Sequence, residues 1–176
     1  MDRCGMDWAM TASSLAVHYD AMWANRRLLA DLAPHRGRLS PMWTALPHQT
    51  GEFPAPAAFT AEARAGGVRA VRLYPRTNGY SLEPETLGPL MKALARARLP
   101  VFLHRDQFMG SRAEESAGFE RMGRFFETYR ANALVVLGLS WADFRYVWSL
   151  LDRHDNWRME FSSFQANLAP ETLVRR

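Results

Sequence analysis

Two buried strand patterns separated by a helical pattern lie near the middle of the chain, and each strand runs directly into polar residues. The first strand pattern, Val68–Tyr74, ends in a loop that contains proline, arginine, asparagine and glycine. The second, Leu99–His104, ends at Arg105 and Asp106. A strand, a crossover helix and a second parallel strand form a right-handed unit, so both carboxyl ends lie at one edge of the sheet. Enzymes built from such units place their chemistry at that edge.

The same alternation of strand and helix patterns continues along the rest of the chain. It predicts an α/β fold, a partial TIM-like (β/α) barrel of about six parallel strands that alternate with helices. A complete eight-stranded barrel takes about 250 residues, whereas this chain has 176. The predicted strands lie within Asp7–Ala12, Arg38–Leu46, Val68–Tyr74, Leu99–His104, Ala133–Leu139 and Trp157–Phe164. Helices are predicted over Asp20–Ala33 and Ala57–Ala65. Apolar residues at helical spacing mark three more, within Leu87–Leu94, Phe119–Phe126 and Phe144–Leu151, and a last helix is predicted to begin at Pro170.

Local signals indicate where several of these helices begin. Pro89 disagrees with a continuous helix, so an irregular first turn or a start near Gly88 is expected there. The polar segment Asp106–Gly118 is expected to be a loop. Ser140 and Asp143 have the spacing of a capping box and predict the start of the helix that follows.

The composition is that of an ordinary globular protein and predicts a single domain over residues 1–176. The formal net charge is +4, and Lys92 is the only lysine among 22 basic residues. The arginines alternate with acidic residues and form no stripe, so no nucleic-acid partner is expected. Cys4 is the only cysteine, which favours a reducing compartment. No segment has the length of a membrane span or the architecture of a signal peptide, so we expect a cytoplasmic protein without membrane contact.

His104 is the first candidate for chemistry, because it stands at the end of a buried strand beside two charged residues. Imidazole titrates near neutral pH and binds zinc well, so His104 could be a metal ligand or a general base. The alternative is a strand-end histidine that hydrogen-bonds to Asp106 or to a neighbouring loop.

The arginines around the first of the two strands are the second candidates. A guanidinium there could hold a substrate carboxylate through two hydrogen bonds. Arg72 and Arg76 flank the end of this strand, and Arg76, which lies in the loop, is the better candidate. Arg69 and Arg72 could instead pair with acidic residues on neighbouring elements, and Arg72 is a plausible partner for Glu160 in the last strand.

The remaining histidines and the tryptophans receive simpler interpretations. His18 and His48 follow the first two strands and are expected to be solvated loop residues on the rim of the same face. His35 and His154 stand near helix ends, where a cation is favourable. Three tryptophans are expected to be core or pocket-wall residues: Trp8, Trp43 and Trp141.

Three segments together resemble the amidohydrolase-related family of metal-dependent hydrolases with a TIM-like barrel. They are Met1–Ala9, Val68–Pro75 and Leu99–His104, in this order and at this spacing. The resemblance implies a divalent metal, expected to be zinc, that serves to hydrolyse a C–N or C–O bond or to decarboxylate an aromatic acid. The substrate would be a small molecule. His104 matches the metal-binding histidine of the fifth strand, and the resemblance implies catalytic roles for Asp106 and for Arg76, which would orient an anionic substrate.

The chain also departs from the family pattern. The His-x-His pair of the family's first strand would precede Met1, and the metal-binding aspartate of the eighth strand would follow Arg176. Strand six often ends in a histidine, but Leu137–Trp141 has none. The resemblance therefore implies strands two to seven of a barrel that lacks its first and last strands. A truncated metal-dependent enzyme and an inactive barrel fragment or scaffold protein both remain open, and the unpaired sheet edges predict a homo-oligomer.

Overall fold

The computed structural model describes residues 1–110, 114–160 and 162, and these residues form a curled sheet of six parallel strands. The strands follow one another in chain order across the sheet, as the predicted succession of strand–helix–strand units requires. The resulting architecture is a curled, partial TIM barrel. The strands are β1 (Ala9–Thr11), β2 (Leu39–Thr44), β3 (Ala70–Arg72), β4 (Val101–His104), β5 (Leu134–Leu137) and β6 (Trp157–Met159).

Helices connect the strands and cover one face of the sheet. A one-turn helix and a longer helix separate β1 from β2, and a single α-helix follows each of the strands β2 to β5. Short 3-10 turns occur at Asp2–Cys4, Ala33–His35, Arg105–Gln107 and Trp141–Asp143. The α-helices are α1 (Leu15–His18), α2 (Ala21–Leu32), α3 (Pro56–Ala65), α4 (Pro84–Ala97), α5 (Glu115–Thr128) and α6 (Phe144–Arg153).

The register of the strands separates an outer, helix-covered face from an inner face. Trp43, Val71, Val101, Leu134 and Trp157 stand opposite one another on successive strands. All five are buried and belong to one hydrophobic core with the inward stripes of the helices. Side chains alternate along a strand, so the next residue on each strand faces the inner side of the curl.

The helix α4 differs from the expectation at Pro89, because it runs without interruption from Pro84 to Ala97. A proline inside a helix deprives the carbonyl four residues earlier of its N–H partner. Here the side-chain amide of Gln49 donates to the carbonyl of Glu85 at 3.3 Å and to that of Thr86 at 2.6 Å. This substitute donor, from the loop after β2, allows the helix to begin one turn earlier than the sequence predicted.

Other helix ends show which local signals were reliable. The capping box of Ser140 and Asp143 is present and starts the turn that leads into α6. The segment Asp106–Gly118 is not a loop throughout, because α5 begins at Glu115. The end of the last predicted strand and the helix predicted from Pro170 lie outside the described residues.

The tryptophans divide between the core and the surface. Trp43 is buried, and Trp141 packs against the core. Trp8 is half exposed beside the edge strand β1, where its indole N–H donates to Ser40 Oγ at 2.7 Å. Trp8 was expected to be a core or pocket-wall residue, and it is not part of the core. No helix in the described ranges is long and apolar enough to cross a bilayer.

Candidate functional site

A cavity of about 420 Å³ opens at the carboxyl ends of β1, β3 and β4. It lies where the strand order predicts an active site in a parallel α/β fold. One wall is formed by the segment from β1 into α1, and the other by the loops after β3 and β4. The polar side chains that line it include His18, Arg72, Tyr74, His104, Asp106 and Gln107.

Arg72 and His104 enter this cavity from neighbouring strands and from the same face of the sheet. Arg72 stands opposite Phe102 in the parallel register, and His104 follows Phe102 by two residues. Two residues along a strand return a side chain to the same face. Both side chains therefore point to the inner side of the curl, with His104 nearer to its open end.

The guanidinium of Arg72 lies 5.0 Å from the centre of the Tyr74 ring and takes part in no ion pair among the described residues. Its Nε atom is buried and has no hydrogen-bond partner among the residues that the structure describes. The expected partner, Glu160, instead accepts a hydrogen bond from the N–H of Gly138 at 3.4 Å and another from the N–H of Ser162. Arg72 thus lines the cavity without an ion-pair partner in the described part of the chain.

Glu160 is held in its ionised form by its surroundings. Burial raises the pKa of this carboxyl group, but hydrogen bonds from Ser162 and Gly138 and the nearby His104 imidazole lower it by more. The net result is a pKa below the ordinary value. Glu160 therefore places a negative charge on the His104 side of the inner face.

His104 is engaged at its Nδ1 atom by Asp106. The Nδ1 atom lies 3.3 Å from the Asp106 backbone nitrogen, which donates to it, and 3.3 Å from Oδ2 of the same residue. The other side of the imidazole ring lies against Gly138, beyond the end of β5. The structure therefore contains the hydrogen bond to Asp106 that was the alternative to a metal-ligand role, and the ring still lines the cavity.

Arg76 lies at the same end of the sheet but on the outer rim of the cavity. Its Nη1 atom is 3.4 Å from the carbonyl oxygen of Asp106, and its backbone N–H donates to Gln107 Oε1 at 3.1 Å. Asp106, Arg76 and His104 are thus brought together at the carboxyl ends of β3 and β4, as the sequence predicts. The guanidinium that reaches into the cavity is nevertheless that of Arg72.

Arg105, the charged residue directly after His104, is not among the cavity-lining residues and instead forms ion pairs with acidic side chains. One of its terminal nitrogens lies 2.7 Å from Glu115 and 2.7 Å from Asp143, both on the elements that follow β4 and β5. Its side chain is 19% exposed and that of Asp143 only 4%. Arg105 therefore connects the turn after β4 to the start of α5 and to the turn after β5 through ion pairs.

His18 and His48 were both expected to be loop residues. His18 is instead the last residue of the one-turn helix α1 and lines the cavity, whereas His48 is not among the lining residues. Gln107 is a cavity-lining residue that the sequence analysis did not identify. It connects the loop after β3 to the turn after β4. Its side chain accepts from the N–H groups of Arg76 and Thr77. No residue pattern in the sequence signals this contact.

The described donor atoms do not form a metal centre. Among residues 1–110, 114–160 and 162, no group of three or more His, Cys, Asp or Glu side chains is arranged to hold a metal ion. A catalytic metal generally needs about three protein ligands. The resemblance assigns His104 as a metal ligand. Its Nδ1 atom accepts a hydrogen bond from Asp106, and the Nε2 side of its ring lies against Gly138. These residues alone do not fit the metal that the family implies.

A parallel sheet of this curvature, with a polar cavity at the carboxyl ends of its strands, defines the class of TIM-barrel proteins. Over residues 17–175 the sequence matches the family described as amidohydrolase, and the chain belongs to this family. No curated protein matches the sequence.

Solved structures share the fold at low sequence identity. An uncharacterised TIM-barrel protein from Bordetella bronchiseptica superposes with a TM-score of 0.72 at 15% identity, over 99% of this chain and 61% of that one. The 5-carboxyvanillate decarboxylase of Novosphingobium aromaticivorans, with bound manganese and 3-methoxy-4-hydroxy-5-nitrobenzoic acid, gives 0.59 at 20% identity over 87% and 51%. A dihydroorotase from Campylobacter jejuni gives 0.55 at 15% identity over 80% and 39%. The chain thus spans between 39% and 61% of the length of these three structures.

Proposed function

We propose that residues 1–176 act as one domain that binds a small organic anion in the cavity at the carboxyl ends of β1, β3 and β4. We propose further that the anion is converted by hydrolysis of a C–N or C–O bond or by decarboxylation, as in the amidohydrolase family. The observation that carries this proposal is the guanidinium of Arg72, which lines the cavity beside His104 and has no ion-pair partner among the described residues.

The charge and geometry of Arg72 favour a carboxylate as the bound group. A buried N–H without an acceptor is costly, and a carboxylate supplies two acceptor oxygens in the plane of a guanidinium. The ring of Tyr74 lies beside the guanidinium and restricts its orientation. An anion bound here would lie on the same sheet face as the imidazole of His104.

His104 and Asp106 are the proposed acid–base pair. When neutral, His104 accepts the N–H of Asp106 at Nδ1, so its own proton resides on Nε2. When protonated, the imidazolium gains the carboxylate of Asp106 at 3.3 Å as a counter-ion. Because Asp106 lines the cavity, the pair is proposed to exchange a proton with the bound substrate through the Asp106 carboxylate. Arg76 is proposed to hold the backbone of Asp106 in place and to attract anions at the rim.

A divalent metal is the cofactor that the family implies, and manganese is bound in one similar structure. In this family the metal polarises the substrate or lowers the pKa of bound water. Because the described residues do not fit a metal centre, we assign no step to it. Zinc or manganese enters the proposal as a component to be added in the assay.

Binding of a nitrobenzoate to the protein, followed by calorimetry, tests the proposal directly. Arg72→Met should weaken binding by about ten- to a hundredfold, the effect of about 1.5–3 kcal/mol for hydrogen bonds to a charged group. Arg69→Met is the matched control, because Arg69 is an exposed arginine next to the same strand. Equal binding by wild type and Arg72→Met would refute the assignment of the site.

Turnover is tested separately, with excess Mn²⁺ or Zn²⁺ present. Hydroxylated benzoates are supplied for CO₂ release, and cyclic amides for ring opening. His104→Gln and Asp106→Asn should abolish any turnover without loss of nitrobenzoate binding.

A non-catalytic scaffold is the second candidate function. It is favoured by the lack of a metal-ligand cluster among the described residues and by the exposed apolar side chains around β1. Binding of other proteins through that surface, with neither anion binding nor turnover, would support this alternative.

A further inference from the structure

Gly138 occupies a special position at the end of β5. It follows Leu137, which stands opposite His104 in the parallel register of β4 and β5. Its φ angle is +71°, in the left-handed region that side chains disfavour. Backbone conformation alone therefore favours glycine at this position.

The surroundings of Gly138 also exclude a side chain at this position, independently of its φ angle. A β-carbon placed on Gly138 would collide with the Nε2, Cε1 and Cδ2 atoms of the His104 imidazole. The ring of His104 thus occupies the space that any side chain at residue 138 would need. Other glycines with positive φ lack such a neighbour, since a β-carbon on Gly67, at φ +72°, would meet nothing within 4 Å.

The backbone of Gly138 also orients a charge toward the same ring. Its N–H donates to Oε2 of Glu160 at 3.4 Å. Glu160 in turn lies close enough to His104 to interact with it electrostatically. Gly138, the residue directly after β5, therefore sets both the space for the imidazole and the location of a carboxylate beside it.

We infer that Gly138 is a positioning residue for His104: its missing side chain determines where the imidazole sits at the cavity wall, and hence which ligands the cavity accepts. The first part of this inference rests on geometry alone. The second part, on ligands, rests on the proposed function of the cavity. Any larger residue at position 138 would displace the ring toward the cavity and reduce its volume.

A double-mutant cycle tests the contact without any ligand. Gly138→Ala should lower the urea midpoint of unfolding by more than Gly67→Ala does, because both add φ strain but only the first adds a collision. In a His104→Ala background the imidazole is gone, and the excess cost of Gly138→Ala should disappear. An excess that persists in this background, or no excess in the wild type, would overturn the inference.

The position of the ring is followed by NMR of the folded variants. The wild type should show nuclear Overhauser contacts between the His104 ring protons and the α-protons of Gly138, and Gly138→Ala should shift the His104 ring resonances. Gly67→Ala should leave those resonances in place. Unchanged His104 resonances in folded Gly138→Ala would also overturn the inference.

Binding of nitrobenzoate by the same two variants distinguishes the two proposals. Gly138→Ala should weaken binding by about tenfold, equivalent to 1.4 kcal/mol, while Gly67→Ala should bind like the wild type. If the ring moves but no variant, nor the wild type, binds nitrobenzoate, the positioning role stands and the proposed anion site fails. If the wild type binds and Gly138→Ala binds equally well despite a displaced ring, the effect on ligands is refuted.

Discussion

Arg105 and Asp143 form an ion pair of 2.7 Å that joins the turn after β4 to the turn after β5. The carboxylate of Asp143 is almost completely buried, and its second oxygen accepts from the N–H and the hydroxyl group of Ser140. The two turns carry His104 and Gly138 respectively, at their strand ends. The ion pair therefore links the carboxyl end of β4, where His104 lines the cavity, to the carboxyl end of β5.

Asp143→Asn should destabilise the protein by about 2 kcal/mol, somewhat less than the loss of a fully buried pair, because Glu115 remains as a partner of Arg105. The measurement is urea denaturation monitored by tryptophan fluorescence. Asp31→Asn is the control, since its pair with Arg27 is exposed and should contribute less than about 0.5 kcal/mol. An equal decrease in the free energy of unfolding in the two variants would show that the ion pair of Arg105 with Asp143 contributes little to stability.

His154 should make the stability of the fold sensitive to acid. Burial lowers the pKa of this imidazole, and the carboxylate of Glu127, at 3.6 Å from Nδ1, offsets this only in part. The folded chain thus disfavours the protonated ring. The contribution of His154 to the free energy of unfolding is therefore fully present above about pH 6.5, the pKa of the ring in the unfolded chain. It is lost as the pH falls through the lower pKa of the ring in the folded chain.

The free energy of unfolding should therefore fall between pH 7 and pH 5, with a slope from this group of at most about 1.4 kcal/mol per pH unit. His154→Gln should flatten the profile. His35→Gln should not, because His35 is exposed. A profile with the same slope in wild type and His154→Gln would contradict the assignment. The sequence-based expectation of a cationic His154 at a helix end disregarded this burial.

The order of the strands could be predicted from the sequence because each strand is a short apolar run followed by a polar break. Val101–His104 and Leu134–Leu137 both lie within the predicted strands, and the crossover rule then places them in parallel. The start of α4 could not be predicted, because the donor that compensates for Pro89 comes from Gln49. Contacts between residues distant in the chain are not visible in local patterns.

The candidate site was predictable in its location and less so in its members. The strand ends indicated His104, Asp106 and an arginine, but the sequence favoured Arg76, whereas the arginine that lines the cavity is Arg72. Arg72 is the last residue of β3 and its side chain takes the inner face by alternation, whereas Arg76 lies four residues further on, at the rim. The role inferred for Gly138 depends on the position of the His104 ring, which only a three-dimensional structure provides.

The open edges of the sheet predict self-association. In the described part of the chain, β1 pairs only with β2 and β6 only with β5, so each leaves one side without a partner. Unpaired strand edges and exposed apolar surface favour association. Several large apolar side chains near β1 are more than 40% exposed: Met6, Trp8, Leu15, Tyr19 and Trp23.

We therefore expect a dimer or larger oligomer in light scattering, with an interface that includes this surface. The double variant Tyr19→Glu/Trp23→Glu should shift the protein toward the monomer. Tyr146→Glu is the control, because Tyr146 is an exposed aromatic residue on α6. A wild type that stays monomeric over a hundredfold range of concentration would contradict the expectation.

Metal content provides the last prediction. Tight binding of a catalytic metal takes about three protein ligands with suitable geometry, and the described residues offer no group of three. After mild chelation and dialysis, elemental analysis should find well below one metal ion per chain. Added Mn²⁺ should bind weakly and should not protect the chain strongly against unfolding, because stabilisation by a ligand rises only with the logarithm of its concentration over its Kd. One zinc ion retained per chain and lost in His104→Ala would contradict this prediction and would restore His104 as a metal ligand.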